Sequence, residues 1–237
     1  MSTPIQHLAE ASSSRGETVS HEGLIASVDA YVKEYMSRYD ASHDYDHIQR
    51  VLRVALLILK KERARASDQQ SQAPNEVHYD ETLVTLGALL HDVGDRKYLL
   101  PGQDPTTLVR DVLLKRGCTD GLADKVQDLV LHVSFSTEKK DPQTTLTKIS
   151  AIPELAIVQD ADRLDAIGAV GIARCFTFGG AKNRGDGLGG SIDHFKEKLE
   201  LLQGMMKTRT GREMARERTE RLKIFRNWWE SEIEGLS

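Results

Sequence analysis

The residues with the clearest chemical potential are histidines and aspartates that fall where apolar residues are expected. His91 and Asp92 end the stretch LVTLGALLHDVGD at residues 83–95. An imidazole and a carboxylate at the end of a buried segment are costly unless they are paired or bind a metal ion. The dipeptide alone says little, because His43-Asp44 repeats it. His47, in SHDYDHIQRVLRVALLIL, precedes Val51 by four positions and so shares the apolar face of its segment. Taken singly, a core-facing histidine is more often a hydrogen-bonded structural residue than a ligand. A second acidic cluster lies in VQDADRLDAIGAVGIARCF, where Asp160, Asp162 and Asp165 are embedded among Ile157, Val158, Ala161 and Leu164. Buried carboxylates need partners, and a metal ion would be one. Asp160 and Asp162 diverge on a helix, whereas Asp162 and Asp165 are neighbours. Only one need be a ligand, and Asp165 can instead cap the following Ala/Gly-rich helix.

The elements that must position these groups are helical. Leu83, Leu86, Ala88, Leu89 and Leu90 make a helix apolar nearly all round, which belongs in a core, and Gly94 stops it. Ahead of His47, Asp44 or Asp46 can cap a helix whose stripe is Ile48, Val51, Val54, Ala55 and Ile58. Leu24, Ile25, Val28, Tyr31, Val32 and Tyr35 mark an earlier amphipathic helix. Asp104-Pro105 reads as an N-cap followed by proline at the first helical position, opening a helix to about Arg116. Another, with Leu122, Val126, Leu129, Val130 and Val133, ends at His132 and the short stretch Ser134, Phe135, Ser136. The hydroxyls there either cap or meet a substrate. Residues 192–206 and 211–233 form two closing helices, with Trp228 and Trp229 anchoring the last to the body. No alternating strand pattern of useful length occurs, so the expectation is an all-α single domain of nine or ten helices over residues 21–237, behind a disordered N-terminal tail at residues 1–20.

Composition excludes several classes. The chain has 237 residues and a net charge of −4, which argues against general affinity for nucleic acid. Cys118 and Cys175 are far apart and outside any CxxC spacing, so neither a disulfide framework nor a zinc knuckle is implied. The apolar runs are too short to span a bilayer and no signal-like core begins the chain, so a soluble, cytoplasmic protein is expected, the nucleus remaining open. The polar, Pro-containing stretch at residues 66–76 reads as an exposed loop. Residues 178–190 hold six glycines in thirteen positions but match neither a Walker loop nor a dinucleotide fingerprint. Either a flexible lid carrying Lys182 and Arg184 over an anionic substrate or a merely mobile connection fits. The arginine-rich final helix interleaves Glu213, Glu217 and Glu220 with Arg212, Arg216, Arg218 and Arg221, which reads as an ion-paired solvated face.

In order, the blocks HDYDHIQRV, LLHDVGD, HVSFS and DADRLDAIGAVGIAR resemble the HD-domain phosphohydrolase superfamily, whose pattern is H...HD...D with ligands on separate helices. The resemblance runs from about Glu22 to Trp229 and is nearest to the small stand-alone branch that includes bacterial nucleotide pyrophosphohydrolases. It implies that the metal ligands are His47, His91, Asp92 and Asp162, the last in preference to Asp160 or Asp165. It also implies hydrolysis of a phosphoester or phosphoanhydride bond in a small phosphorylated substrate, foremost a nucleoside or deoxynucleoside triphosphate cleaved to monophosphate and pyrophosphate. A 5′-nucleotidase would use the same ligands, and a non-catalytic nucleotide sensor is the non-enzymatic alternative.

Two imidazoles and two carboxylates suit one first-row divalent ion, Mn²⁺ foremost, with Mg²⁺, Co²⁺ or Ni²⁺ as alternatives. Asp95, three residues beyond Asp92, is assigned to orient or deprotonate the attacking water, at a position where the family branch often has a carboxylate. Lys97, Lys182 and Arg184 are candidates for phosphate charge, with Arg50 and Arg163 behind them. His132 could serve a second metal, as in binuclear relatives, but the additional histidine pairs those relatives use are missing from this sequence.

Overall fold

A computed structural model describes residues 20–39, 43–68, 77–95, 99–181 and 187–235. Among them the chain forms α1 (His21–Met36), α2 (Tyr45–Asp68), α3 (Glu81–Leu90), α4 (Leu108–Leu114), α5 (Asp120–Leu131), α6 (Phe135–Lys140), α7 (Pro142–Ala151), α8 (Glu154–Asp165), α9 (Gly168–Ala181), α10 (Gly187–His194) and α11 (Arg209–Glu234). A π-helical turn, Phe195–Leu199, and a 3₁₀ segment, Glu200–Met205, separate the last two. The fold is all-α, with no strand among the described residues.

The all-round apolar character of α3 follows from its place between two cores. Leu83, Leu86, Leu89 and Leu90 join a cluster with α1, α4 and α5, whereas Val84 and Ala88 join a second one with α2, α8, the π turn and α11. Every residue of α3 from Leu83 onward is buried. Each fully buried leucine contributes about 1.5–3 kcal/mol, so this helix is fixed more firmly than its ten-residue length alone would allow. Its start is capped by Asp80, whose carboxylate accepts from Thr82 N at 2.8 Å and Leu83 N at 3.2 Å. Its end turns sharply at Gly94, where φ is +90°, a conformation that glycine adopts without strain. His91 and Asp92 therefore sit in the turn just past the helix. Both α3 and α8 pack against α2, which brings the start of α2, the end of α3 and the C-terminal half of α8 together.

Several local expectations change. Two helices, α6 and α7, replace the short hydroxyl-bearing stretch after His132. Asp104 Oδ1 accepts from Thr106 N at 2.8 Å, a two-residue turn, so α4 begins only at Leu108. Helix α2 runs on to Asp68, into the segment expected to be a loop. The glycine-rich stretch is helical on both flanks, in α9 and α10, while residues 182–186 lie outside the described residues. The expected helix at residues 192–206 is instead split among α10, the π turn and the 3₁₀ segment. Trp228 is 64% exposed, and only Trp229 packs, near Phe176. The expected tail lies outside the described residues, except Ser20, which caps α1. Among the described residues no single helix is long and apolar enough to cross a membrane.

Candidate metal centre

His47 occupies the first turn of α2, where Asp44, and not Asp46, caps the helix by accepting from His47 N at 3.0 Å. Its ring is buried, and Nδ1 lies 2.8 Å from Asp165 Oδ2. His91 Nδ1 lies 2.8 Å from the Ala88 carbonyl oxygen. Both partners are acceptors, so both Nδ1 atoms carry the proton and both Nε2 atoms present bare lone pairs in the neutral rings. Those two Nε2 atoms face one another at 3.2 Å. Two lone pairs at that distance repel unless a proton or a cation lies between them.

The carboxylates converge on the same point. Asp92 Oδ2 is 3.4 Å from His47 Nε2 and 3.6 Å from His91 Nε2, and it is buried with no hydrogen-bond partner. Asp162 Oδ1, from α8, is 3.7 Å from each of the two nitrogens. The donor atoms of His47, His91 and Asp162 all lie within 4.8 Å of one another. Nitrogen and oxygen ligands about 2.1 Å from a common ion stand roughly 3–4 Å apart, so the spacing fits a single ion. Electrostatics agree. Burial would lower the pKa of His47, but the hydrogen bond to Asp165 and the nearby carboxylate of Asp92 outweigh it and lift the value to about 8. Burial would raise Asp92, yet the imidazoles of His91 and His47 hold its carboxyl well below the usual carboxylate range. The pocket is built to hold positive charge.

Behind the cluster, Asp165 joins three cationic or N–H donors. It accepts from His47, from Arg50 Nε at 2.8 Å and Nη2 at 3.1 Å, and from Arg174 Nη1 at 2.9 Å. Asp165 thus fixes the tautomer of His47 and is not a helix cap. Arg50, expected to meet substrate phosphate, makes a bidentate pair with it instead. Arg163 is buried, with Nη2 2.5 Å from Glu138 Oε2 and Nη1 3.1 Å from Met205 O. Sequence reasoning missed Arg174, because nothing in its helical pattern marks a residue that reaches back to Asp165.

A cleft of about 680 Å³ opens on the cluster, lined in part by His91, Asp92 and Asp162. Asp95 and His132 line it, and α6 supplies Ser134, Ser136, Thr137 and Lys140. Lys140 and Thr137 were not anticipated. The signal available was Asp141-Pro142, a cap followed by proline, which opens α7 and so places α6 before it. His132 Nδ1 lies 2.7 Å from Asp128 O, and among the described residues it belongs to no second cluster of three ligand groups. Lys97, Lys182 and Arg184 lie outside the described residues.

Comparison with known proteins agrees with this arrangement. The family model described as HD domain matches residues 44–167, which hold His47, His91, Asp92 and Asp162. YpgQ of Bacillus subtilis, described as uncharacterized, is 36% identical over 210 residues, covering 87% of this chain and 92% of YpgQ. The crystal structure of YpgQ in complex with ADP superposes with a TM-score of 0.66 at 32% identity, covering 90% of this chain and 96% of that one. An HD-superfamily hydrolase from Bacillus thuringiensis superposes with a TM-score of 0.53 at 26% identity, covering 91% and 99%. With the family model spanning more than half of its length and every position of the H...HD...D pattern filled, this chain belongs to the HD domain family, and is at the general level a metal-dependent phosphohydrolase.

Proposed function

We propose that the chain is a nucleotide pyrophosphohydrolase, which converts nucleoside or deoxynucleoside triphosphates to monophosphates and pyrophosphate with one divalent ion, Mn²⁺ foremost. The observation that carries this reading is the convergence of His47, His91, Asp92 and Asp162 beside a nucleotide-sized cleft with Asp95 on its wall. A divalent ion held by those four residues would lower the pKa of a water molecule and polarise the phosphorus centre. Asp95 would take the proton of a water molecule aimed at the α-phosphorus. The bond from the α-phosphorus to the bridging oxygen breaks, and pyrophosphate leaves with the electron pair. Asp165 keeps Nδ1 of His47 protonated and Nε2 free throughout. Lys97, Lys182 and Arg184 are proposed to meet the β and γ phosphates. That a relative was crystallised with ADP supports a nucleotide as the substrate class.

The deciding measurement is the product. Purified protein with Mn²⁺ is expected to release pyrophosphate and a monophosphate from triphosphates, separated by chromatography and assayed with distinct reagents for pyrophosphate and phosphate. Phosphate released from monophosphates, with triphosphates untouched, would move the protein to a 5′-nucleotidase. Inertness toward every phosphorylated compound across several metals would leave the sensor reading.

A further inference from the structure

With six residues, α6 is too short to hold its place unaided. Its Ser136, Thr137 and Lys140 line the same cleft as His91, Asp92 and Asp162. Successive side chains on a helix stand about 100° apart, so Glu138 turns away from that face, and it is the buried residue of α6. A buried carboxylate is costly without partners. Glu138 Oε2 accepts from Arg163 Nη2 of α8 at 2.5 Å, and Oε1 accepts from Lys207 Nζ at 2.7 Å. Burial alone would raise its pKa, but Lys207 and Arg163 hold its carboxyl below the usual carboxylate range. Arg163 Nη1 and Lys207 Nζ both donate in turn to the Met205 carbonyl, at 3.1 and 2.5 Å, which closes the group around α8.

A second tie leaves the same helix. Gln159 is fully buried, and its Nε2 donates to the His132 carbonyl oxygen at 2.7 Å. Gln159 and Arg163 are four positions apart and so share a face of α8, with Asp162 between them in the chain. His132, Val133 and Ser134 line the cleft together with the residues of α6, so this stretch of wall is fastened to the ligand-bearing helix at two points. Its other contacts are less exacting: α6 packs against α7, and Phe135 leans on the second core. Apolar contact is non-directional, whereas charge-assisted hydrogen bonds fix one placement. We propose that Glu138 and Gln159 are positioning residues, which hold residues 132–140 in register with Asp162 and so set how tightly the wall grips a nucleotide whose phosphate meets the metal. The inference rests on the nucleotide reading above and adds to it the residues that set substrate affinity without touching substrate or metal.

The test reads position and affinity separately, and neither depends on turnover. Bound Mn²⁺ relaxes nearby amide protons by an amount that falls steeply with distance. That relaxation is measured by NMR at residues 134–140, with residues 86–90 of α3 as internal reference, in wild-type protein, Glu138→Gln and Gln159→Met. Calorimetry gives the affinities for Mn²⁺ and, with Mn²⁺ present, for ADP. In both variants the relaxation at residues 134–140 should change relative to α3 and Mn²⁺ affinity should stay as in the wild type, while ADP binds about 10- to 100-fold more weakly, the scale of loss from a small misplacement. Gln159→Met is uncharged and of similar volume, so it carries the test if circular dichroism shows that Glu138→Gln does not fold. Unchanged relaxation, or an ADP affinity that neither variant alters, would overturn the proposal. A loss of Mn²⁺ affinity as large as that of ADP would overturn it too, since the ties would then act on Asp162 itself. Wild-type protein that binds no ADP, with relaxation responding as expected, would defeat the nucleotide reading and leave the positioning standing.

Discussion

Asp160 and Asp162 lie two positions apart on α8 and meet opposite surroundings. Asp160 is fully buried, and its carboxylate accepts from Lys207 N, Thr208 N and Thr208 Oγ1 at distances between 2.7 and 3.1 Å. A side chain at position 211 would begin 2.2 Å from its Oδ2, so only glycine lets α11 start so close. Burial still raises the pKa of Asp160, against the pull of those bonds. Asp162, by contrast, faces two imidazole nitrogens that carry no proton in the neutral rings, and it opens onto the cleft. One carboxylate is answered by the protein's own N–H and O–H groups and serves architecture. The other converges with lone pairs that only a cation can answer. Buried acidity is therefore not itself a sign of function, and what separates the two cases is whether the protein supplies the donors.

Five substitutions break or sharpen that contrast, beginning with the largest effect. Asp162→Ala or His91→Ala should abolish metal retention and reduce turnover to background, as read by elemental analysis after gel filtration. Wild-type protein should gain about 2.7 kcal/mol of stability at a hundredfold excess of Mn²⁺ over its dissociation constant. Neither mutant should show that metal-dependent rise in Tm, and full occupancy in both would refute the ligand assignment. Asp95→Asn comes next, with kcat lowered about 10²- to 10⁴-fold and the metal retained. Near-normal rates would remove Asp95 from the mechanism.

Asp165→Asn keeps an oxygen to accept from His47 Nδ1 but loses the charge that holds Arg50 and Arg174. Metal affinity should fall about 10- to 100-fold, the usual penalty for disturbing a group that orients a ligand. Competition with a metal-sensitive dye measures it, and an unchanged affinity would mean that the charge of Asp165, with its hold on Arg50 and Arg174, does not support the site. The smallest effect on the site belongs to Asp160→Asn. It should cost about 1–3 kcal/mol in urea denaturation, through donors at the start of α11 left unpaired, while metal affinity stays as in the wild type. A change in affinity there would erase the distinction between the two aspartates.

The repeated Asp-Pro dipeptide shows where local reading stops. At Asp141-Pro142 the carboxylate accepts from Thr144 N at 2.9 Å, three residues on, and a helix begins. At Asp104-Pro105 the same carboxylate chemistry reaches Thr106 N, two residues on, and makes a turn that delays α4 to Leu108. The dipeptide allows either outcome, and packing of the surrounding chain selects one. The closing region behaves likewise, since the apolar spacing at residues 192–206 suits a continuous helix and the chain instead tightens and widens around Phe195, Leu199 and Leu202 in the second core.

What the sequence determined by itself was the material of the site and its carriers. Apolar periodicity depends on near neighbours, so α1, α2, α3, α5 and the length of α11 were legible, as was the oddity of His47, His91 and the DADRLD carboxylates in apolar settings. Periodicity left three aspartates open, and family resemblance was needed to favour Asp162. Tertiary structure decided the rest. Arg50 and Asp165 are 115 positions apart, and their pairing exists only because α2 lies along α8. Packing of α2 on α3 sets the two Nε2 atoms face to face, and α6 brings its hydroxyls to the wall of the cleft. Partners separated by a hundred residues leave no trace in local spacing, because their proximity is a property of how helices pack and not of how any one of them forms.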